Sequence, residues 1–177
     1  MRPVLLGVAA LAIFVLTARK RMEPPGFESS SLADLAPDFR GRLQQLLQDM
    51  QSQGYDVQVL RTYRSPERQQ YYKDLGYSQV TRSYHTVTRD GKPYAYAADV
   101  TMRGLGWQTR ADVERLGPFY VKLRDTARKY ALRTGGEYSV REGSAWAQWG
   151  LGWDPGHIEP AEFSIARAHR GDRWTPA

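Results

Sequence analysis

The absence of cysteine is the strongest constraint on this chain, because it excludes disulfide frameworks, thiolate metal sites and cysteine nucleophiles. The 177 residues, 41% of them hydrophobic, are enough for one compact domain and too few for two large ones. Any metal must therefore be held by His, Asp or Glu side chains. Only three histidines are present, His85, His157 and His169, so a site with two imidazoles would use most of them. His169 lies among arginines near the carboxyl terminus and is predicted to be exposed and without function.

The net charge of +6, from 25 basic and 19 acidic residues, favours binding to an anionic partner. The basic residues are scattered, however, and no basic run is longer than residues 19–21. No nucleic-acid-binding motif is present. We therefore expect no nucleic-acid partner, whereas a polyanionic cell envelope suits the charge.

An uncharged apolar run at residues 4–17 predicts that residues 1–21 form a signal peptide or a membrane anchor. As a helix the run would span about 21 Å, which is less than the ~30 Å hydrocarbon core of a bilayer. A poor cleavage signal favours a retained anchor, whereas the basic triplet after the run opposes export of the remainder of the chain. Both topologies stay open.

Residues 22–31 contain two prolines, a glycine and three consecutive serines, a composition that is typical of a solvated linker. No internal repeat is visible along the chain. The folded domain is therefore predicted to span residues 32–177.

The first part of this domain has well-marked local signals. Apolar residues at helical spacing predict a helix over residues 37–53, and an alternating run predicts a strand over residues 55–60. Ser65, followed by a proline and an acidic residue, is the predicted N-cap of a second helix that ends near Leu75.

Residues 109–132 are predicted to be mostly helical, with Thr109 as the cap and a break at Gly117-Pro118. The segment after this region is rich in glycine and aromatic residues, as strands and loops often are. Helices and strands thus do not alternate regularly. This pattern favours an α+β fold in which helices flank a small, largely antiparallel sheet.

The tetrapeptide Asp154-Pro155-Gly156-His157 carries the strongest local signal. Proline followed by glycine at the two central positions predicts a type II turn, which brings its end residues within about 7 Å between Cα atoms. The strand predicted after the turn would put His157 and Glu159 on one face and the residue between them in the core. Either three polar groups converge here, or an ordinary turn leaves the histidine exposed.

A second histidine, His85, precedes a predicted hairpin with Asp90-Gly91 at its tip. In a regular hairpin His85 would pair with Tyr96, and Asp99 would lie on the opposite face. A bulge just before Asp99 would be needed to turn its carboxylate toward His85. Without that bulge, His85 would be a solvated loop histidine and Asp99 an aspartate at the end of a strand, and they would not form a site.

Five short motifs follow one another between residues 55 and 160. They are Tyr63-Arg64-Ser65 with Gln69, Ser83-Tyr84-His85, Ala97-Ala98-Asp99, Gly135-Gly136-Glu137-Tyr138 and Asp154-Pro155-Gly156-His157. In this order they resemble the motifs of a family of zinc-dependent cell-wall peptidases. The family includes D-alanyl-D-alanine carboxypeptidases, vancomycin-resistance-type dipeptidases and phage L-alanyl-D-glutamate endolysins.

One departure from the family pattern concerns the spacing of its first histidine and its aspartate. The family usually has six residues between them, whereas thirteen lie between His85 and Asp99. Seven extra residues, with the Asp-Gly turn, must therefore loop out. Asp90 is the competing ligand, but Asp99 has the Ala-x-Asp context and is preferred.

The resemblance implies that His85, Asp99 and His157 bind one Zn²⁺ ion and leave a coordination position open for water. It implies that Asp154 takes the proton of that water and passes it to the leaving amine. Arg64 would stabilise the developing oxyanion or hold a substrate carboxylate.

Other residues are expected to support this site. Glu159 would orient His157, and Ser83 and Gln69 would support the ligands or contact substrate. Arg61 could substitute for Arg64, but alternate strand residues face opposite sides, so the two should not both reach the metal. Three tryptophans either form aromatic walls at the site or belong to the core: Trp146, Trp149 and Trp153.

The resemblance thus implies a zinc peptidase that hydrolyses peptidoglycan stem peptides, with a preference for L-alanyl-D-glutamate endopeptidase activity. D-alanyl-D-alanine carboxypeptidase activity is one alternative. A non-catalytic, zinc-stabilised module that binds the cell envelope is another. We expect a monomer in the cell envelope, anchored in the membrane or exported to the periplasm.

Overall fold

The structure is a computed structural model that describes residues 24–106 and 112–176. Its framework is an antiparallel sheet. The strands are β1 (Val57–Arg61), β2 (Thr88–Arg89), β3 (Lys92–Pro93), β4 (Ala98–Met102), β5 (Leu132–Gly135) and β6 (Asp154–Pro160). Four of them form one sheet in the order β1-β4-β6-β5, and β2 pairs with β3. The α-helices are α1 (Pro37–Ser52), α2 (Pro66–Asp74), α3 (Val113–Ala127) and α4 (Ile165–Arg170). The predicted α+β fold is confirmed.

Helix α1 contributes a fully buried apolar stripe to the core. The stripe consists of Phe39, Leu43, Leu46 and Met50. Gly54, with a φ of +88°, adopts the left-handed conformation that ends the helix and turns the chain toward β1. In α2, the Ser65 hydroxyl accepts a hydrogen bond from the Arg68 N–H at 3.3 Å, as an N-cap does. The predictions for the first two helices are confirmed.

Helix α3 runs without interruption through Gly117-Pro118, where the predicted break is wrong. Proline removes one intrahelical hydrogen bond, but the neighbouring apolar residues of α3 are fully buried, and this packing stabilises the helix. Gly117 has a packing role instead, because a Cβ there would overlap the Trp149 indole. The predicted cap, Thr109, lies outside the described residues.

The residues between His85 and Asp99 fold into the hairpin of β2 and β3. Asp90 and Gly91 form its tip with φ values of 50° and 71°, as a type I′ turn requires. The hairpin contains only two residue pairs, and the chain then enters β4 in the main sheet. The extra residues therefore loop out, and the main sheet determines the position of Asp99.

The tetrapeptide at residues 154–157 begins β6, so the predicted turn is wrong. Gly156 lacks the positive φ that a type II turn requires at its position. The register between β5 and β6 shifts just before Gly135, which opposes Asp154. Pro155 is tolerated in this irregular stretch because bulged residues need not donate to the ladder. Pairing with the two neighbouring strands thus overrides the local preference for a turn.

Residues 24–31, here called the strap, pack against the loop after β1. The Ser29 N–H donates to the Tyr63 carbonyl at 2.9 Å, and the Ser29 carbonyl accepts from the Thr62 N–H at 2.6 Å. The ring centroid of Phe27 lies 5.3 Å from that of Tyr63. Residues 24–27, 30 and 31 are exposed, yet the segment pairs with the chain after β1, and composition does not reveal this long-range backbone pairing.

Membrane association was predicted only for the amino terminus. Residues 1–21, the predicted signal peptide or anchor, lie outside the described residues. Within residues 24–106 and 112–176, no helix is both long and apolar enough to cross a bilayer.

Candidate metal centre and active-site cleft

A row of polar residues crosses three adjacent strands of the sheet. Arg61 on β1 opposes Asp99 on β4, and Asp99 also opposes His157 on β6. Side chains directly opposite one another on antiparallel strands have Cβ atoms about 4.5–5.5 Å apart. The register of the main sheet therefore brings the Asp99 carboxylate to the His157 imidazole.

His85 comes from outside the sheet, on the 3₁₀ turn Tyr84–Thr86. The Ser83 hydroxyl accepts a hydrogen bond from the His85 N–H at 3.2 Å, and Thr86 Oγ1 accepts one from the Ser83 N–H at 3.1 Å. His85 Nδ1 lies 2.7 Å from the Thr62 carbonyl oxygen. This reciprocal cap and the carbonyl contact together orient the imidazole.

The side chains of His85, Asp99 and His157 meet in one buried group. His85 Nε2 lies 3.3 Å from Asp99 Oδ1 and 3.3 Å from His157 Nδ1. His157 Nδ1 lies 3.0 Å from the same Asp99 oxygen. Tetrahedral ligands with zinc bonds of about 2.0–2.1 Å are about 3.3–3.4 Å apart. The three atoms thus lie close to the spacing that such an ion requires, and the group could hold a metal.

The outer nitrogen of each imidazole has a fixed partner. His157 Nε2 lies 3.1 Å from Glu159 Oε2, and Arg133 Nε donates to Glu159 Oε1 at 2.6 Å. The Thr62 carbonyl and the ionised Glu159 carboxylate can only accept, so the ring nitrogens facing them must donate. In the neutral imidazoles this leaves the lone pairs on His85 Nε2 and His157 Nδ1, the atoms that face each other.

The charges of the group shift its protonation equilibria. Burial would raise the pKa of Asp99, but the two imidazoles beside it hold that pKa well below its usual value. Burial disfavours the charged form of His157, yet hydrogen bonds to Asp99 and Glu159 raise the pKa of His157 well above its usual value. A cation would have to displace this proton, so metal binding would weaken at low pH.

Asp154 lies at the start of β6 and lines a cleft together with the three residues of the buried group. A Cβ on Gly135 would overlap the Asp154 carbonyl, so this close approach of the strands requires glycine. Burial raises the pKa of Asp154 to about 6, although the charge of His157 opposes the shift. A carboxyl group with such a pKa can both accept and donate a proton near neutral pH.

Arg64 and Arg61 both line the same cleft. Arg64 Nη1 donates to the fully buried Gln69 at 2.7 Å, and the Gln69 amide in turn binds the loop at residues 78–80. Arg61 Nη1 lies 3.9 Å from Asp99 Oδ2. Both arginines thus reach one cleft, although strand alternation predicts opposite faces for them. The register of β1 is irregular near Arg61 and the strand ends there, so its alternation does not extend to Arg64.

The cleft has a volume of about 890 Å³, within the range of about 300–1,000 Å³ that is usual for ligand pockets. Trp153 is 37% exposed, and its ring centroid lies 5.4 Å from that of Tyr138. The Arg141 guanidinium stacks on Trp153 at 4.5 Å. Trp146 is buried in the core and Trp149 packs against α3. Of the three tryptophans, Trp153 therefore forms part of the wall.

Asp90 and His169, the other aspartate and histidine considered from the sequence, do not belong to the buried group. Asp90, the competing ligand, is exposed at the hairpin tip. His169 is half-buried, and its Nε2 lies 3.0 Å from the Ser83 carbonyl, so the prediction of an exposed side chain is wrong. The sequence around it could not reveal that α4 packs against the turn that carries His85.

Three residues of the site were not identified from the sequence: Thr62, Arg133 and Arg141. Thr62 acts through its main-chain carbonyl, which any residue type would offer. Arg133 opposes Glu159 across β5 and β6, a charge pair that becomes visible only once the strand pairing is known. Tyr138 had a signal, because it belongs to the Gly-Gly-acid-aromatic motif.

Comparison with known proteins finds similarity to solved structures. One is the L-Ala D-Glu endopeptidase ChiX of Serratia marcescens, with a TM-score of 0.49 and 21% identity over 80% of this chain and 94% of that one. The LD-carboxypeptidase LdcB has a TM-score of 0.45 and 16% identity, over 76% of this chain and 63% of that one. DacB from Streptococcus pneumoniae D39 has a TM-score of 0.41 and 15% identity, over 76% of this chain and 71% of that one.

No protein-family model matches the chain, and no curated protein matches it significantly. Of the three structural neighbours, one is described as an L-Ala D-Glu endopeptidase and one as an LD-carboxypeptidase that recognises peptidoglycan.

Proposed function

We propose that this protein is a zinc-dependent peptidase that hydrolyses the stem peptides of peptidoglycan. The observation that carries the proposal is the close meeting of His85 Nε2, Asp99 Oδ1 and His157 Nδ1, 3.0–3.3 Å apart, in a cleft that Asp154 also lines. Nitrogen and carboxylate ligands of this kind suit zinc, and catalytic zinc sites use three protein ligands with a fourth position left open.

Zinc bound by these residues would lower the pKa of a coordinated water toward ~7 and polarise the scissile carbonyl. Asp154 is the general base: its carboxylate accepts the proton of the attacking water and then donates it to the departing amine. A pKa near 6 suits both halves of this exchange. Arg64 stabilises the negative charge that develops on the carbonyl oxygen, or holds a carboxylate of the substrate.

The remaining site residues maintain this geometry. Glu159 fixes the ring of His157, and Ser83 caps the turn that presents His85. Gln69 holds Arg64 on one side and the cleft loop on the other. Partners of this kind usually change metal affinity or activity by about 10–100-fold when they are removed.

The walls of the cleft support an acidic peptide as substrate. Three arginines line it, Arg61, Arg64 and Arg141, and the Tyr138 and Trp153 rings offer an apolar surface beside them. Stem peptides carry free carboxylates, which guanidinium groups bind in bidentate fashion. We favour cleavage of the L-alanyl-D-glutamate bond, because the aspartate base and the loop before Ser83 resemble the endopeptidases of the family. D-alanyl-D-alanine carboxypeptidase activity is the alternative.

Peptidoglycan as substrate would place the domain in the cell envelope, with residues 1–21 as an anchor or an export signal. We expect it to act there as a monomer. The positive net charge suits a polyanionic wall.

Digestion of purified muropeptides by the full chain tests the proposal. We expect the zinc-loaded protein to release fragments that mass spectrometry identifies, and new D-glutamate amino termini would indicate endopeptidase activity. Release of free D-alanine would instead indicate the carboxypeptidase. Asp154→Asn should bind zinc with the same stoichiometry and release fragments at least about 100-fold more slowly than the wild type. If the wild type binds zinc and peptidoglycan but cleaves nothing, the protein is a non-catalytic envelope-binding module and the proposed activity is wrong.

A further inference from the structure

We propose that Glu28 is a positioning residue, which holds the guanidinium groups of Arg64 and Arg61 in place at the cleft. The inference rests on the proposed function for its kinetic consequence, but its structural part stands on the contacts of the strap. Glu28 lies in a segment whose composition is typical of a linker, and no motif points to it.

The strap runs alongside the segment that carries both arginines. Its backbone forms an isolated bridge between Glu28 and Arg64, and the Ser65 N–H donates to the Phe27 carbonyl at 2.9 Å. Next to it, the Thr62 N–H donates to the Ser29 carbonyl. The Thr62 carbonyl also contacts the His85 ring. The strap therefore supports a segment that contacts the buried histidine and also carries the arginines of the cleft.

The Glu28 carboxylate contacts four side chains of this region, of which Arg68 is the most distant, with its Nη1 3.9 Å from Glu28 Oε2. Its Oε1 accepts a hydrogen bond from Arg64 Nε at 3.1 Å and lies 3.3 Å from Arg61 Nε. Its Oε2 accepts a hydrogen bond from the Tyr72 hydroxyl at 2.8 Å. The side chain of Glu28 is only 20% exposed. A single carboxylate therefore separates two cations that would repel each other if they came this close without it.

Glu28 holds the arginines from outside the cleft. Arg61, Arg64 and Tyr72 line the cleft, whereas Glu28 is not among the described residues that line it. Substrate would therefore meet the guanidinium groups and not the carboxylate behind them. Glu28 is therefore placed as a positioning residue, and it does not occupy the position of a substrate carboxylate.

The contacts of Arg64 also define which of its atoms remains for substrate. Glu28 engages Nε and Gln69 engages Nη1, so Nη2 is the guanidinium nitrogen that has no hydrogen bond to another described residue. Two fixed nitrogens determine the plane of a guanidinium group, because the group is rigid. Loss of Glu28 should therefore allow Arg64 to rotate and should weaken whatever Nη2 contributes to the reaction.

The test compares Glu28→Ala and the isosteric Glu28→Gln with the wild type, all as full chains loaded with zinc. The matched control is Asp56→Asn, which removes an exposed carboxylate 3.0 Å from Arg103. Thermal unfolding and zinc content establish that each variant is folded and loaded. If Glu28→Ala does not fold, Glu28→Gln carries the test, because it keeps the shape and loses the charge.

The first measurement does not depend on activity. The Nε–H signals of Arg64 and Arg61 in ¹H–¹⁵N spectra, assigned from Arg64→Lys and Arg61→Lys, should exchange with water about tenfold faster in both Glu28 variants. Asp56→Asn should leave them unchanged. Unchanged exchange in Glu28→Ala, or in Glu28→Gln where the alanine variant does not fold, would overturn the proposal.

The second measurement is kinetic. On muropeptides, Glu28→Ala should lower kcat/KM about tenfold, and it should have a smaller effect in the Arg64→Ala background than in the wild type. Fully additive effects, or an increase in activity on removal of Glu28, would overturn the positioning role. If the wild type is inactive on muropeptides, the proposed function fails, while the exchange measurement still decides whether Glu28 holds the arginines.

Discussion

The two sides of the buried group are held in different ways. Asp99 and His157 lie opposite each other on paired strands, so the hydrogen-bonded ladder of the sheet sets their separation. His85 lies on a short 3₁₀ turn, and the cap at Ser83 and the Thr62 carbonyl hold it. We call these the sheet side and the turn side. A ladder depends on many backbone bonds, whereas the turn side depends on a few individual contacts that a single substitution can remove.

The largest effect is expected on the sheet side from Asp99→Asn. Two buried imidazoles would lose their ionised partner, and breaking a buried ion pair costs about 3–5 kcal/mol of unfolding free energy. Zinc binding should also be lost, because the neutral amide is a poor ligand. Urea unfolding of the metal-free protein and zinc titration measure the two effects. Asp90→Asn, at the exposed hairpin tip, is the control, and stoichiometric zinc binding by Asp99→Asn would contradict the assignment.

The next effect concerns Asp154, where the sheet side meets the cleft. Burial raises the pKa of Asp154 to about 6, and a general base must be ionised. The value of kcat/KM should therefore rise with pH up to about 6 and fall about tenfold per unit below it. At pH 7, Asp154→Asn should lower kcat/KM by about 10²–10⁴-fold, and the difference from the wild type should narrow below pH 6. A pH profile of the wild type that stays flat between pH 4.5 and 7 would exclude Asp154 as the base.

A smaller effect is expected from Glu159→Gln, which keeps the shape of the partner of His157 and removes its charge. His157 stays on β6, which pairs with β4 and β5, but its Nε2–H loses an ionised acceptor. Zinc affinity should fall by about 10–100-fold, as it does for other outer partners of metal ligands. Competition with a chromophoric chelator measures the affinity. An unchanged value would mean that the ladder alone orients His157.

The smallest effect is expected on the turn side from Ser83→Ala. Removal of an N-cap hydroxyl costs about 1 kcal/mol of unfolding free energy. Ser164→Ala is a matched control, because Ser164 caps α4 by accepting from the Arg167 N–H at 3.3 Å. Both variants should lose similar stability in thermal or urea unfolding, but only Ser83→Ala should also lower zinc affinity. Equal zinc affinity in the two variants would show that the cap does not position His85.

Local chemistry made the end of α1 and the start of α2 predictable. The Ser65-Pro66 start of α2 and the Gly54 stop after α1 depend on neighbours within a few residues, so the sequence carries the whole signal. The two-residue tip of the hairpin at Asp90-Gly91 is predictable for the same reason. These elements agree with the structure because no distant partner competes with their local preference.

Long-range pairing explains what the sequence could not show. The local preference of Asp154-Pro155-Gly156-His157 is a turn, but pairing with β4 and β5 extends this segment into a strand. Asp99 was preferred over Asp90 because of its motif context, since periodicity placed it on the wrong face. Glu28 had no signal, because its partners lie more than thirty residues away in the chain.

The hairpin between His85 and Asp99 has a consequence for recognising such proteins. It keeps the additional residues outside the main sheet, so two candidate ligand atoms from residues with thirteen others between them still lie 3.3 Å apart. A search pattern with a fixed interval between these two candidate ligands would reject this chain. Patterns that allow a short excursion at this point, and test instead for the strand pairing beyond it, would retain it.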